Sequence, residues 1–250
     1  MKHFEVLKIV FRMKTPPILA HPWLHFDGLI AHVALRRELG EKYYLLPERF
    51  PLQEIVDRLE LPIRRIYYIT SNSTRYIYDC SVSIIDGQFY PYRHMAVTFV
   101  RKRFTEKYIH EVHCRKSKIE IARGPYKLYD IKFLYVPCRE ITFYVNAVES
   151  ELVELLKHVH ALGKKRAEGF GFIKEWTYEK TELEAAIVFE DDTVTRPIPA
   201  PLVNFEETVE RHGKCDLVSV AVRPPYWSPQ NIELATIPGQ RYVLKNNTNN

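Results

Sequence analysis

Apolar side chains sit among lysines at the start of the chain, where Phe4, Val6, Ile9, Val10 and Phe11 predict a strand over residues 3–12. Residues 14–22 read as a proline-punctuated loop. The pattern then shifts to helical spacing: Leu29, Ile30, Val33, Ala34 and Leu35 form the apolar side of a helix over 28–39. Asp27 is placed to cap its start and Gly40 to end it. Residues 42–63 look irregular apart from a short helix over 52–59, between Pro51 and Pro62. Alternation returns over 64–85 through Ile66, Tyr68, Tyr76, Tyr78, Val82 and Ile84, which is the strand period. Asp86-Gly87 is a hairpin-turn signal. Further strands are predicted at 95–103, 119–122, 129–136 and 140–145.

A second amphipathic helix follows, with Leu152, Val153, Leu155, Leu156, Val159 and Leu162 at helical spacing. Ser150 can cap it, Glu149, Glu151 and Glu154 suit its positive end, and Gly163 stops it. A strand over 170–178 comes next, then strands at 185–189 and 217–222, with proline-rich connections at 195–204 and 223–229. Strand–helix–strands followed by strand–helix–strand predicts an α+β fold with a ferredoxin-like (RNA-recognition-motif-like) βαββαβ core. That core spans residues 1–178 with a large basic insertion at about 40–128. Residues 179–245 add C-terminal strands and connections packed on the core, and 246–250 form a disordered tail.

The charge distribution sharpens this picture. The net charge of +5 is modest, but it is unevenly spread. From Arg101 to Lys127 nine Lys/Arg face three acids, whereas from Thr181 to Asp216 nine acids face three bases. The surface is therefore bipolar, with one face suited to phosphates and another to a basic neighbour or to self-association. Four scattered cysteines without a CxxC exclude a secreted disulfide framework. The first ten residues lack the apolar run of a signal peptide, and no stretch is long and apolar enough to span a membrane. The expected compartment is the cytoplasm.

The densest chemistry lies in residues 161–173. Gly163 is followed by Lys164, Lys165 and Arg166, then by Gly169, Phe170 and Gly171. Glycines permit positive φ and close backbone approach, and exposed amides beside two lysines and an arginine suit a phosphate chain. The same run also reads as a solvated turn. A second basic stretch carries Arg101, Lys102 and Arg103, and later Tyr126 and Lys127. Its cations can neutralise phosphates while its aromatic rings stack on unpaired bases. It reads equally as one strand face exposed to water.

Catalytic signatures are sparse. His21 and His25 lie in the loop feeding the first helix, a place suited to an acid–base pair, and local packing of His25 with Trp23 accounts for that histidine as well. No spacing gives a complete set of metal ligands, and GxSxG, HExxH and P-loop patterns are absent. Neither a metal nor a cofactor is expected.

Residues 163–171 after an amphipathic helix resemble the glycine-rich loop of the RAMP superfamily of CRISPR-associated proteins. Together with Leu24–Ala31 after the first strand and Arg123–Lys127 before the last helix, they resemble the small RAMP subunit of type IV CRISPR effector complexes, which caps the 5′ handle of the guide RNA. The resemblance runs from about residue 3 to 178. It implies a ferredoxin-like core with a thumb-like insertion, in an assembly with guide RNA, backbone subunits, a large subunit and target DNA. It implies that Lys164, Lys165 and Arg166 hold handle phosphates and that the 169–171 backbone allows close approach. Arg101, Lys102, Arg103 and Lys127 would extend the track, with Tyr126 stacking on a flipped base. It also implies a structural rather than catalytic subunit. The alternatives are a metal-independent endoribonuclease acting through His25 or His21 on precursor guide RNA, and an unrelated interaction protein.

Overall fold

A computed structural model of the chain describes residues 2–19, 22–45, 52–71, 73–90, 95–102 and 128–245. In chain order it forms β1 (Glu5–Met13), α1 (Phe26–Leu39), α2 (Leu52–Arg58), β2 (Arg65–Ile69), β3 (Thr74–Tyr78), β4 (Ile84–Ile85), β5 (Ala96–Lys102) and β6 (Tyr129–Tyr135). There follow β7 (Glu140–Ala147), α3 (Glu149–Leu156), β8 (Ile173–Lys180), α4 (Phe205–His212), β9 (Val218–Ala221) and β10 (Ile232–Ala235). The fold is α+β, with antiparallel pairing in every sheet.

The main sheet has the order β4-β7-β1-β8. Strand periodicity explains its inner face. Leu7, Ile9 and Phe11 of β1 lie opposite Val145, Phe143 and Ile141 of β7, and all six are fully buried. On that face α1 contributes Phe26, whose ring lies 5.1 Å from that of Phe143, and α3 contributes Leu152, Leu155 and Leu156. Each such side chain contributes about 1.5–3 kcal/mol by leaving water. A second apolar cluster joins Tyr68 and Ile77 of the β2–β3 ribbon to Ile198, Val222 and Ala235 of the C-terminal region, where β9 and β10 pair.

Several local expectations need correction. Asp27 does not cap α1: the N-cap is His25, and Asp27 lies buried inside the first turn. Ser150 is likewise inside α3, whose N-cap is Val148 without a side-chain hydrogen bond. This helix ends at Leu156, well before Gly163, yet Val159 and Leu162 remain in the core. Their spacing reported burial rather than helix. The 185–189 strand is only an isolated bridge from Val188 to Val194. Two elements went unpredicted, β10 and α4. Asn204 caps α4 by accepting from the Glu207 amide at 3.4 Å and donates to the Glu207 carboxylate at 2.9 Å. The expected 119–122 strand lies outside the described residues.

Candidate nucleic-acid interface

The glycine loop between α3 and β8 is folded tightly against the segment after β1. Lys164 and Gly171 donate their amides to the carbonyls of Ile18 and Pro16 at 2.8 and 3.0 Å, and Leu162 donates to Gly171 at 2.8 Å. A Cβ on Gly163 would stand 2.5 Å from the Ile18 oxygen, and one on Gly171 1.9 Å from the Leu162 oxygen. Both glycines have positive φ, and both are required by the chain's approach to itself. The amides of Glu168, Gly169 and Phe170 also donate within the loop, and that of Phe172 donates to the Thr15 hydroxyl. The expectation of exposed amides over 169–171 is therefore corrected: those groups close the loop. What the loop offers outward is side chains, since Lys164, Lys165 and Arg166 are all exposed.

The cations do not point as one cluster. Lys165, itself left-handed at φ 62°, pairs with Glu168 at 3.2 Å and lies 5.0 Å over the Phe133 ring. Phe170 packs between the same ring and Tyr135, at 6.5 and 6.2 Å. The Val136 amide donates to Pro17 at 3.0 Å. The loop and the root of the β5–β6 ribbon thus form one surface. Residues 103–127, which carry most of the basic stretch and stand between β5 and β6 in sequence, lie outside the described residues. Arg166 instead lines a cavity beside α1 with His32, Arg36, Arg37, His158 and His160.

On the ribbon, Arg101 pairs with its cross-strand partner Asp130 at 2.9 Å and lies 5.2 Å over Phe99. Lys102 ends β5. Arg103, Tyr126, Lys127 and His21 lie outside the described residues.

His25 sits at the start of α1, its Nε2 accepting from the Trp23 indole at 3.1 Å and its ring stacked 3.6 Å from Tyr226. Beneath it runs a buried polar network absent from any sequence pattern. The Tyr226 hydroxyl donates to Asp27 Oδ1 at 2.6 Å, and the Arg196 guanidinium reaches Asp27 Oδ2 at 3.2 Å. Arg196 also donates to the carbonyls of Tyr78 and Val222, both at 2.6 Å. Burial is the largest single influence and works against the arginine's charge, but Asp27, Tyr226 and Cys80 together more than offset it and the guanidinium stays protonated. Burial, then Asp27, push the Tyr226 hydroxyl well above its ordinary value, so it remains a donor. The network and the histidine–arginine cavity escaped sequence reasoning because each gathers residues from distant segments.

Among the described residues no helix is long and apolar enough to cross a membrane, and no group of three or more His, Cys, Asp or Glu side chains could hold a metal. A family model described as CRISPR type IV associated protein Csf3 matches residues 86–238, more than half of the chain. The chain belongs to that family. No curated protein matches it.

Proposed function

We propose that this chain is a non-catalytic RNA-binding subunit of a type IV CRISPR effector complex that holds and caps the 5′ handle of the guide RNA. The observation that carries the reading is the meeting of the glycine loop with the root of the β5–β6 ribbon, through Lys165 over Phe133 and Phe170 beside Tyr135. It joins two segments rich in cations and aromatics, separated by some thirty residues of chain, into one surface. That composition suits single-stranded RNA, where arginine and lysine meet phosphates and rings meet bases. The strand order, with β1 between β7 and β8 and with β4 outermost, supports a ferredoxin-like core beneath it. The β5–β6 ribbon is the thumb-like element of this reading. Backbone and large subunits are its partners, and target DNA is met through the complex.

The packing of His25 against Trp23 and Tyr226 favours a structural role for that histidine over acid–base work. The test is to co-express the tagged chain with its genomic neighbours and sequence the RNA that co-purifies. Discrete small RNAs sharing one 5′ end are expected. A Lys164→Ala/Lys165→Ala/Arg166→Ala variant should lose that RNA while staying folded. Wild-type assembly by this variant would sink the reading.

A further inference from the structure

Beside α1, with Arg166 of the glycine loop in its wall, lies a cavity of about 310 Å³. Its walls come from one face of α1, the 158–161 segment and Arg166. Six of its side chains are cationic or can become so: His32, Arg36, Arg37, His158, His160 and Arg166. Among the described residues that line it there is no carboxylate. The floor is apolar, where Val33 and Val159 are buried in the core. A cluster of basic side chains around a partly enclosed space gives it a positive potential that favours an anion.

His32 responds to its burial and to those charges. Burial, then the charges of Arg166 and Arg36, hold its imidazole below the ordinary histidine value. Its Nδ1 shares a 2.9 Å hydrogen bond with the Tyr43 hydroxyl, which fixes the ring against the wall. Glu154, one turn before His158, is drawn off by Lys157 and feels Arg37 and His158 only secondarily. It does not line the cavity.

We propose that this cavity binds one nucleotide of a single-stranded RNA, its phosphate held between Arg37 and Arg166 and its base against the Val33–Val159 floor. The volume lies at the small end of ligand sites, enough for a single nucleotide and not for a helix of RNA. Guanidinium groups suit phosphate oxygens through paired N–H donors, and the imidazoles of His158 and His160 add donors once protonated. The inference rests on the reading of the chain as an RNA-binding subunit. It deepens it by splitting the loop's cations: Lys165 serves the ribbon side and Arg166 the cavity.

The test uses the full chain labelled with 13C-histidine. Adenosine 5′-monophosphate should shift the resonances of His158 and His160, and a twelve-nucleotide single-stranded RNA should shift the same signals. Adenosine without phosphate should leave them in place. Arg37→Gln should weaken binding of that RNA about tenfold and reduce the salt slope of binding by about 1, the signature of one lost phosphate contact. Wild-type histidine signals that ignore adenosine 5′-monophosphate would overturn the proposal, and this measurement needs no variant to fold. Signals that follow the mononucleotide but not the RNA would also overturn it, and would assign the cavity to a free nucleotide. If Arg37→Gln binds RNA normally while Lys164→Ala/Lys165→Ala does not, the cavity fails and the RNA-binding reading stands. If the wild type binds no RNA, both fall.

Discussion

Arg196 and Asp27, 169 positions apart in sequence, meet at 3.2 Å with side chains only 1% exposed on each side. The pair fastens the start of α1 to the C-terminal region, because the same guanidinium holds the carbonyls of Tyr78 and Val222. A buried pair of this kind adds little beyond a well-packed apolar equivalent, but breaking it leaves a buried charge without compensation. Arg196→Leu should therefore cost about 3–5 kcal/mol. Asp27→Leu combined with Arg196→Leu should cost clearly less than the sum of the single changes. Denaturant unfolding of the two singles and the double measures this coupling, and additive costs would refute it.

The two late glycines of the loop should respond differently to alanine. Gly171→Ala drives a Cβ to within 1.9 Å of the Leu162 carbonyl, so the loop must open to accept it. Gly169 also has positive φ but meets nothing within 4 Å; its alanine pays only the left-handed penalty of about 1–2 kcal/mol. Thermal unfolding should rank Gly171→Ala well below Gly169→Ala. Equal losses would mean that the backbone approach is unimportant.

Stability should fall on mild acidification, in part through His32. Its folded-state pKa lies below the unfolded value near 6.5, so the unfolded chain binds the proton more readily. The contribution is complete above that unfolded value and is lost as pH falls through the folded one. The charged or titratable groups facing His32 are Tyr43, Arg36 and Arg166, with Arg37, His158 and His160 around the same cavity. The melting temperature should drop between about pH 7.5 and 5.5. His32→Asn should flatten that drop, and an unchanged profile would exclude this histidine as a source. Saturating adenosine 5′-monophosphate should oppose the drop in the wild type.

Phe170 couples the loop to the ribbon through Phe133 and Tyr135. Phe170→Ala should loosen the ribbon more than the sheet, since β1, β7 and β8 keep their pairing without it. Limited proteolysis should cut the β5–β6 ribbon several-fold faster in the variant while the melting temperature changes little. RNA binding should weaken even though no cation has been removed. Cleavage at the wild-type rate would show that the contact does not hold the ribbon.

The sequence by itself determined the local elements wherever one periodicity ran long enough. β1, α1, β6 and β7 appear close to their predicted bounds, because alternation and helical spacing are set by which face must leave water. The turn at Asp86-Gly87 also appears as predicted, both residues having positive φ. Sequence also gave the family resemblance, through the glycine loop with its cations, and the family match bears it out. Where periodicity outlived the element, it misled: Val159 and Leu162 keep the α3 spacing although the helix has ended. Asn204 with Glu207 three residues on was a readable helix-start signal that went unused.

Tertiary structure alone decided the rest. It turned Asp27 from a cap into the partner of Arg196, and it spent the loop amides on Pro16 and Ile18 instead of leaving them outward. It also sent Lys165 to the ribbon and Arg166 to a cavity shared with three histidines. None of these pairings has a local signature. Each depends on which segments a folded chain brings within a few ångströms, and where a charge or amide is buried there it must find a partner that offsets the cost of leaving water.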